Sequence, residues 1–377
     1  MKKRILFALI ALAPALTHAA FMTAPSLTAQ TSSNAKSSSE TPAPSQSHDI
    51  NPSAAPIVSH GADFFANAAF IYWNVKMEGL AYAGDGRAAV GTAPPATFSR
   101  GSTKDVTADC QPGFKVGAGL NFKRDGWDLF LNYTWLNPAS HHDSAERHLS
   151  HGSLRTEWVV PILANSSPII LPLLSAHNHW KMTFNVLDVE LGRSFYISSK
   201  LTTRPFIGCK AAWLTQHNHV KYTIDLTNLN IPNVPSNANI KMKQDFVGFG
   251  LRGGVNTAWE FANHWSIYGN LAVSLLWCEF EDSRKDTQIT NALKAQSSSF
   301  FTTLNVKEDF HSIRPVLEMA LGLMYSHDFY QGKSRLIVYA GWEEQFWYKQ
   351  NEFIAPVNLT SGDLTLQGLT TGIGYAF

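Results

Sequence analysis

The chain has 377 residues, of which 16% are charged, and its formal net charge is +1 at pH 7. The charged fraction is well below the roughly 25% of soluble domains, and the near-neutral balance gives no support for a nucleic-acid partner. Aromatic residues make up 12% of the chain, and the mean hydropathy is -0.11. Low charge and many aromatics favour a transmembrane β-barrel, whose outward residues are apolar and whose inward residues are polar.

The first part of the chain predicts an export signal followed by a linker. Residues 1–20 have a basic start at positions 2–4, a short apolar core and small residues at the end, as in a secretory signal peptide. Residues 21–62 are rich in Ser, Thr, Pro and Ala and carry few charges, so we expect a flexible linker. Residues 63–377 form the predicted barrel domain, which contains no apolar run of the about 20 residues that a membrane-spanning helix needs.

Ten segments of this domain predict long β-strands. They are residues 63–78, 111–123, 126–137, 179–196, 201–216, 243–259, 264–280, 309–328, 334–349 and 362–377. Several of them alternate apolar and polar residues with a period of two, which directs the apolar set to one face. Two strands have Trp at both ends of that face, Trp127 and Trp135 in one and Trp265 and Trp277 in the other. This spacing predicts the two aromatic girdles of a membrane barrel.

The connections between these strands alternate in length. Short ones lie at 124–125, 197–200, 261–263 and 329–333, and long ones lie at 79–110, 138–178, 217–242, 281–308 and 350–361. An antiparallel up-and-down barrel with short periplasmic turns and long extracellular loops makes this pattern, with both chain ends on the periplasmic side. Ten strands are visible, and the long connections leave a total between 10 and 16 open.

The last strand has an apolar face that ends on an aromatic residue. Ile373, Tyr375 and Phe377 lie on this face, and Gly372 and Gly374 lie on the other. In an exported bacterial chain, such a closing strand resembles the signal that directs barrels to outer-membrane assembly. We therefore expect the barrel-assembly machinery and outer-membrane lipid as partners.

Several stretches carry a resemblance to a known family. They include Phe70-Ile71-Tyr72-Trp73, Trp127-Asp128-Leu129-Phe130-Leu131, Arg204-Pro205-Phe206-Ile207-Gly208 and Gly341-Trp342-Glu343-Glu344-Gln345. The barrel domain resembles the pore-forming major outer membrane proteins of Legionella and Chlamydia-related bacteria. The resemblance implies an outer-membrane barrel that passes small solutes. The chain departs from the cysteine-rich chlamydial members, because it has three cysteines.

A set of polar residues alternates with apolar neighbours in the predicted strands. The candidate pore-lining residues are Asp128, Asn132, Asp188, Glu190, Arg204, Lys210, Arg252, Asn270, Arg314 and Glu318. We expect them to face inward, because an Arg that faces lipid at mid-depth costs about 2–4 kcal/mol. They either form a ring that sorts solutes by charge or fill a narrow barrel as a salt-bridge network. The four acids and four bases of this set nearly cancel, which predicts weak ion selectivity.

Two His-x-His pairs flank the fourth and fifth predicted strands. They are His177 with His179 and His217 with His219. Antiparallel pairing about the short turn near residue 198 brings the two pairs level at the extracellular rim. Neutral imidazole is a good ligand for Zn²⁺, so a zinc site is one hypothesis and solvent-exposed rim histidines are the other.

The three cysteines are an odd set for an oxidising compartment, so at most one internal disulfide can form. Cys209 lies in the middle of a strand and is predicted to be a buried free thiol. Cys110 and Cys278 both lie at strand ends next to long connections, so a bridge between them stays open.

Two functions follow from these patterns. The first is a porin-like barrel for passive diffusion of small hydrophilic solutes and ions. The second is a structural or adhesive barrel with a plugged lumen, whose loops bind host or neighbouring proteins. Sequence motifs for an enzyme are absent, and no cofactor is indicated. The apolar segment 158–174 folds into the barrel mouth as a constriction, packs under the rim, or is exposed as a contact surface for host or neighbouring protomers, and homo-oligomerisation stays open.

Overall fold

The computed structural model of the chain describes residues 53–54, 58, 61–88, 98–106, 109–123, 126–147, 153–158, 171–226, 236–291, 298–329, 334–355 and 361–376. The predicted signal peptide lies outside these residues, as do most of the predicted linker and Phe377. Within them, no helix has the length and apolar character that a membrane span requires. Ser53 forms a β-bridge with Phe195, and the backbone N–H of Ala54 donates to the carbonyl of Ser194.

Fourteen strands make up one antiparallel sheet. They are β1 (Ala62–Met77), β2 (Ala83–Ala88), β3 (Phe98–Lys104), β4 (Cys110–Phe122), β5 (Trp127–Glu146), β6 (Ser153–Thr156), β7 (Pro172–Arg193), β8 (Phe195–Ser198), β9 (Leu201–Ile224), β10 (Asn237–Ala262), β11 (Trp265–Asn291), β12 (Ser298–Phe329), β13 (Ser334–Asn351) and β14 (Gly362–Ala376). Ten of them close a barrel in the order β1-β4-β5-β7-β9-β10-β11-β12-β13-β14, because β7 pairs with β9 and β14 pairs with β1. The predicted all-β barrel and its ten strands are confirmed.

The four additional strands lie at the two ends of the barrel. β2, β3 and β6 continue the sheet from the edge of β7 at the end that carries the long connections. β8 folds back on the start of β9 at the opposite end, where the connections are short. We call these the long-loop end and the short-turn end.

Exposed apolar side chains form a belt around the outer face of the barrel. On β11 the belt runs along alternate residues from Trp265 to Trp277, both of which are exposed. Trp127 is also exposed on this face, and Trp135 is half-buried against Phe114, with ring centroids 5.2 Å apart. The four Trp residues therefore lie on the outer face, as the girdle prediction requires.

Beyond the belt, the strands continue with the opposite polarity. Lys221 and Lys241 point outward there, and Tyr222, Ile240 and Phe280 point inward and are buried. On β11 this extension covers residues 278–291, about 45 Å of strand at about 3.3 Å per residue. The barrel wall thus projects well past its membrane belt and surrounds a buried interior in which apolar side chains lie among polar ones such as Gln244 and Arg284.

The predicted long connections 217–242 and 281–308 are wrong in length. Most of their residues belong to the extended strands β9, β10, β11 and β12. The sequence pattern changes phase at the belt edge, because the outward residues become polar where the wall leaves the membrane. A strand predicted from its apolar outer face alone therefore ends before the observed strand does.

The seam between β1 and β14 has its own polar chain inside the barrel. Trp73 Nε1 donates to Thr370 Oγ1 at 3.1 Å, and Thr370 Oγ1 donates to Glu343 Oε2 at 3.0 Å. Lys115 on β4 forms an ion pair with the same carboxylate. These side chains link β4, β1, β14 and β13 across the closure.

Candidate functional site

Seven charged side chains form a layer across the barrel lumen at the level of the membrane belt. They are Asp128, Asp188, Glu190, Arg204, Lys210, Arg252 and Glu318. Arg204 is the most accessible, with 17% of its side chain exposed, and Lys210 has 1%. We call this set the ion-pair layer. All seven were predicted to face inward, and the structure brings them together.

Arg204 on β9 holds one side of the ion-pair layer. Its Nε lies 2.9 Å from Asp128 Oδ2, and its Nη1 lies 2.9 Å from Glu190 Oε2. The guanidinium thus contacts β5 and β7 together. Because its planar fork carries five N–H donors, one Arg can satisfy two carboxylates at once.

Arg252 on β10 and Lys210 on β9 hold the other side. Arg252 Nη2 donates to Glu318 Oε2 at 2.9 Å, and its Nη1 pairs with Glu190. Lys210 Nζ lies 2.7 Å from Asp188 Oδ1 and 2.8 Å from Glu318 Oε1. Each acid of this group contacts at least one base, so the chain of pairs runs without a break from β5 to β12. Four acids meet three bases, which leaves a formal charge of −1.

Two glycines give the guanidinium groups room to cross a strand. Gly208 lies in one row with Glu190 and Arg252, which pair across it. Gly192 is the direct neighbour of Asp128, and a Cβ there would lie 2.6 Å from Arg204 Cζ. A side chain at Gly192 would occupy the space of the Arg204 guanidinium, and one at Gly208 would meet the backbone of β7 at Val189 and Glu190.

An aromatic layer covers the ion-pair layer on the long-loop side. The ring centroid of Trp347 lies 5.8 Å from Lys210 Nζ. The same ring packs edge-on against Phe184, with ring centroids 5.5 Å apart. Phe246 packs against Phe280 with a centroid distance of 5.0 Å. These four aromatic residues are almost fully buried. The lumen at this depth is therefore a packed core of side chains.

Hydrogen bonds and loop residues fill the barrel mouth above the aromatic layer. Trp180 Nε1 donates to Gln216 Oε1 at 3.2 Å, Gln216 Nε2 donates to Gln244 Oε1 at 3.3 Å, and Gln244 Nε2 donates to the carbonyl of Gln350 at 2.9 Å. This chain crosses the mouth from β7 to β13. Trp158 is buried there beneath Arg284, whose Cζ lies 5.6 Å from the indole ring. The start of the apolar segment 158–174 thus folds into the mouth, whereas residues 159–170 lie outside the described part of the chain.

The other predicted pore-lining residues lie apart from the ion-pair layer. Arg314 Nη2 pairs with Glu352 Oε1 at 2.7 Å, nearer the mouth. Asn132 is half-buried, and Asn270 is exposed in a strand whose inward neighbours Ala272 and Ser274 are buried. Water therefore reaches the lumen from the short-turn end as far as Asn270.

Sequence analysis missed four residues of the lumen. Lys115 and Glu343 form the ion pair at the seam, and their inward positions in alternating strands were the available signal. Gly192 and Gly208 were visible as small residues two positions from the inward charges Glu190 and Lys210. Their role depends on which residues lie beside them in the neighbouring strands.

The rim histidines lie on the outer face of the barrel. His179 is directly opposite His219, whereas His177 is opposite Lys221 and His217 is opposite Lys181. Among the described residues, no group of three or more His, Cys, Asp or Glu side chains is arranged to hold a metal ion. The two His-x-His pairs therefore do not converge into the hypothesised zinc site, because the register sets only His179 and His219 opposite each other and places a Lys opposite His177 and His217.

A family comparison decides what kind of barrel this is. The model of the family described as the Legionella pneumophila major outer membrane protein precursor matches residues 56–377. This chain belongs to that family. It is accordingly a barrel of the bacterial outer membrane, and the long-loop end faces outward from the cell. No curated protein matches the chain.

Several solved outer-membrane structures share the fold class of this family member. The outer membrane protease OmpT from Escherichia coli covers 84% of this chain and 97% of its own at 10% identity, with a TM-score of 0.40. A major outer membrane protein from Thermus thermophilus covers 84% and 100% at 11% identity, with a TM-score of 0.28. A deltaS2 mutant of the monoaromatic hydrocarbon channel TodX covers 85% and 92% at 10% identity, with a TM-score of 0.30. These scores are too low to transfer a function.

The three cysteines are free thiols in this family member. Cys110 is exposed at the long-loop end of β4, Cys209 is half-buried and Cys278 is fully buried on β11. β4 and β11 lie five strands apart around the barrel, so the bridge between Cys110 and Cys278 does not form.

The position of Cys110 gives a test of sidedness. A membrane-impermeant maleimide applied to intact cells should label one thiol per chain, because only Cys110 is exposed at the outward end. Cys110→Ser should remove this labelling. Labelling that appears only after the outer membrane is permeabilised would mean that the long-loop end faces the periplasm.

Proposed function

We propose that this protein is a non-enzymatic structural barrel whose lumen stays closed and whose extended wall presents a surface outside the outer membrane. The observation that carries the proposal is the ion-pair layer, in which seven inward charges contact one another rather than water. A ring that sorts solutes by charge needs side chains that face a water-filled path.

Two further features support a closed lumen. The aromatic layer around Trp347 lies directly above the ion-pair layer, and the hydrogen-bonded chain from Trp180 to Gln350 crosses the mouth. A ten-stranded barrel is also narrow, since eight strands leave an interior that side chains just fill and 16–18 strands leave a channel. The wall beyond the belt adds an outer surface that would contact neighbouring or host proteins.

A second candidate is a porin-like pore for small hydrophilic solutes and ions. It is favoured by the exposed inward Asn270, which lines a water-accessible half of the lumen, and by the family resemblance. A continuous path would then require the ion-pair layer and the aromatic layer to rearrange.

Planar-bilayer conductance of the full chain separates the two candidates. We expect the purified protein to give no stepwise conductance in about 1 M KCl. At this ionic strength the Debye length is about 3 Å, so charges on the protein surface have little effect on the measurement. Its folded state is checked by heat-modifiable mobility on a gel. A porin of known conductance, inserted in the same bilayer, controls for insertion.

Stepwise conductance would contradict the proposal. Steady steps from the folded chain at low voltage would overturn the closed barrel and favour the pore. In that case, Asn270→Trp should lower the step size by narrowing the water-accessible half.

A further inference from the structure

The strongest feature outside the lumen is a basic region on the outer wall. Its members are Lys181, Lys221, Lys241, Lys243, His179 and His219, all at outward positions beyond the belt. We call this region the basic wall. The four Lys residues are exposed, and the two His residues are half-buried between them.

Strand register places these residues in three consecutive rows. In the first row, His217 on β9 lies between Lys181 on β7 and Lys243 on β10. In the second row, His219 on β9 lies between His179 on β7 and Lys241 on β10. In the third row Lys221 lies opposite His177. Three adjacent strands, β7, β9 and β10, thus carry cationic side chains at neighbouring outward positions.

The basic wall begins just beyond the apolar belt. Trp213 and Val247 are direct neighbours in the last apolar row, and one row with Thr215 and Asp245 separates them from His217. The first cationic row is therefore about 13 Å along the strand from the belt edge at about 3.3 Å per residue. Strand tilt of about 35–45° brings this to about 10 Å above the hydrocarbon. Headgroups occupy about 5–8 Å on each side of the hydrocarbon, so the backbone of the first cationic row lies just above this layer, within reach of its flexible Lys side chains.

The charge of the basic wall is largely uncompensated. Among the described ion pairs, only Lys243 has a carboxylate partner, Asp245 in the row below. Glu146 is the nearest outward acid at the upper edge, opposite Ser175. On β11 the neighbouring outward positions are Ser283 and Lys285, which add a further Lys, and the exposed Glu281, which adds an acid in the row below, opposite Asp245. Like charges at neighbouring positions are unfavourable, so the arrangement favours an anionic partner.

The pKa values of two histidines reflect their burial and the density of positive charge in the basic wall. Burial lowers the pKa of His219 to about 4, and Lys221 and Lys241 add to the effect. Burial and the neighbouring His142 and Lys181 also lower the pKa of His179. At neutral pH the charge of the basic wall therefore comes from the four Lys residues, and the neutral rings serve as hydrogen-bond donors and acceptors.

We propose that the basic wall binds the phosphorylated headgroup of an anionic lipid in the outer leaflet. The site combines exposed ammonium groups, imidazole rings and a first cationic row that is separated from the lipid-facing belt by a single row of residues. A phosphate group accepts hydrogen bonds from several ammonium groups at once. Juxtamembrane Lys residues are attracted to anionic lipid by this same electrostatic effect.

The test is native mass spectrometry of the full chain, purified in mild detergent and titrated with bis-phosphorylated lipid A. The variant carries Lys181→Gln, Lys221→Gln, Lys241→Gln and Lys243→Gln. Each Lys near an anionic surface strengthens binding about fivefold, so we expect the variant to bind lipid A at least about tenfold more weakly. Heat-modifiable mobility confirms that it is folded, and a version with Lys241→Gln and Lys243→Gln alone serves if the fourfold change prevents folding.

The matched control carries Lys123→Gln and Lys200→Gln, two exposed lysines at the short-turn end. It should bind lipid A like the unaltered chain, and phosphatidylethanolamine should bind weakly to all three proteins. Equal lipid A binding by the control and the basic-wall variant would overturn the proposal. Inorganic phosphate that displaces lipid A at the same concentration would also overturn it, because the site would then recognise free phosphate rather than a lipid.

Discussion

Replacing Arg252 with Met should lower the free energy of unfolding of the barrel by about 3–5 kcal/mol, the usual cost of removing one partner from a buried ion pair. Arg252 contacts both Glu190 and Glu318, and its side chain is 9% exposed. Its loss leaves the ion-pair layer with four acids and two bases in the low-dielectric lumen. Urea unfolding in phospholipid vesicles, followed by tryptophan fluorescence, measures the change.

The control is the same substitution in an exposed pair. Arg335 pairs with Asp328 at the short-turn end, where both side chains are more than 40% exposed. Arg335→Met should change stability by at most about 1 kcal/mol. Adding Glu318→Gln to Arg252→Met should recover part of the loss, because it removes one unpaired charge. Equal effects of the two Arg substitutions would show that the lumen charges are solvated.

Substitution of Gly208 by Ala should produce a comparable loss of stability. A Cβ at Gly208 would lie 1.8 Å from the carbonyl oxygen of Val189 and 3.0 Å from Glu190 Cα. These are backbone atoms of β7, so the two strands would have to separate and the pair between Glu190 and Arg252 would stretch. Overpacking of this kind costs about 1–3 kcal/mol or more. We expect a reduced yield of the heat-modifiable folded band after refolding and a lower urea midpoint.

Gly253→Ala is the matched control for this change. Gly253 lies on β10 next to Ile207, and the nearest atom to a Cβ there is Phe206 O at 3.7 Å. This variant should fold with normal yield. If Gly208→Ala behaved in the same way, β7 and β9 would not approach each other as closely as described.

The strand pattern predicted the membrane part of the fold well and the outer part poorly. Within the belt, apolar outward and polar inward residues alternate, and all ten barrel strands were found. On β9 the prediction stopped at residue 216, although the strand continues to Ile224. His217, His219 and Lys221 point outward there, so the alternation persists with inverted polarity. Inverted alternation was the signal that would have extended the strand.

The members of the candidate site were predictable, but their partners were not. Inward polar positions follow from a period of two, and this identified Asp128, Glu190 and Arg252. The pairing of Arg252 with Glu190 depends on two successive registers, from β7 to β9 and from β9 to β10. A shift of one residue in either register would turn the side chains to the other face. The partner of Arg314 could not be predicted from strand alternation, because Glu352 comes from the segment after β13.

The position of the seam between β1 and β14 affects the order in which charges are paired as this barrel assembles. The seven members of the ion-pair layer lie on β5, β7, β9, β10 and β12, and the seam strands β1 and β14 carry none of them. Biogenesis that adds hairpins one after another can thus give every member of the layer an oppositely charged partner while the sheet is still an open, curved ribbon. Closure then requires only the backbone ladder and the short chain from Trp73 to Lys115. Lys115 and Glu343 are the charge pair left for this final step, because they lie on opposite sides of the seam and meet only when β1 and β14 join.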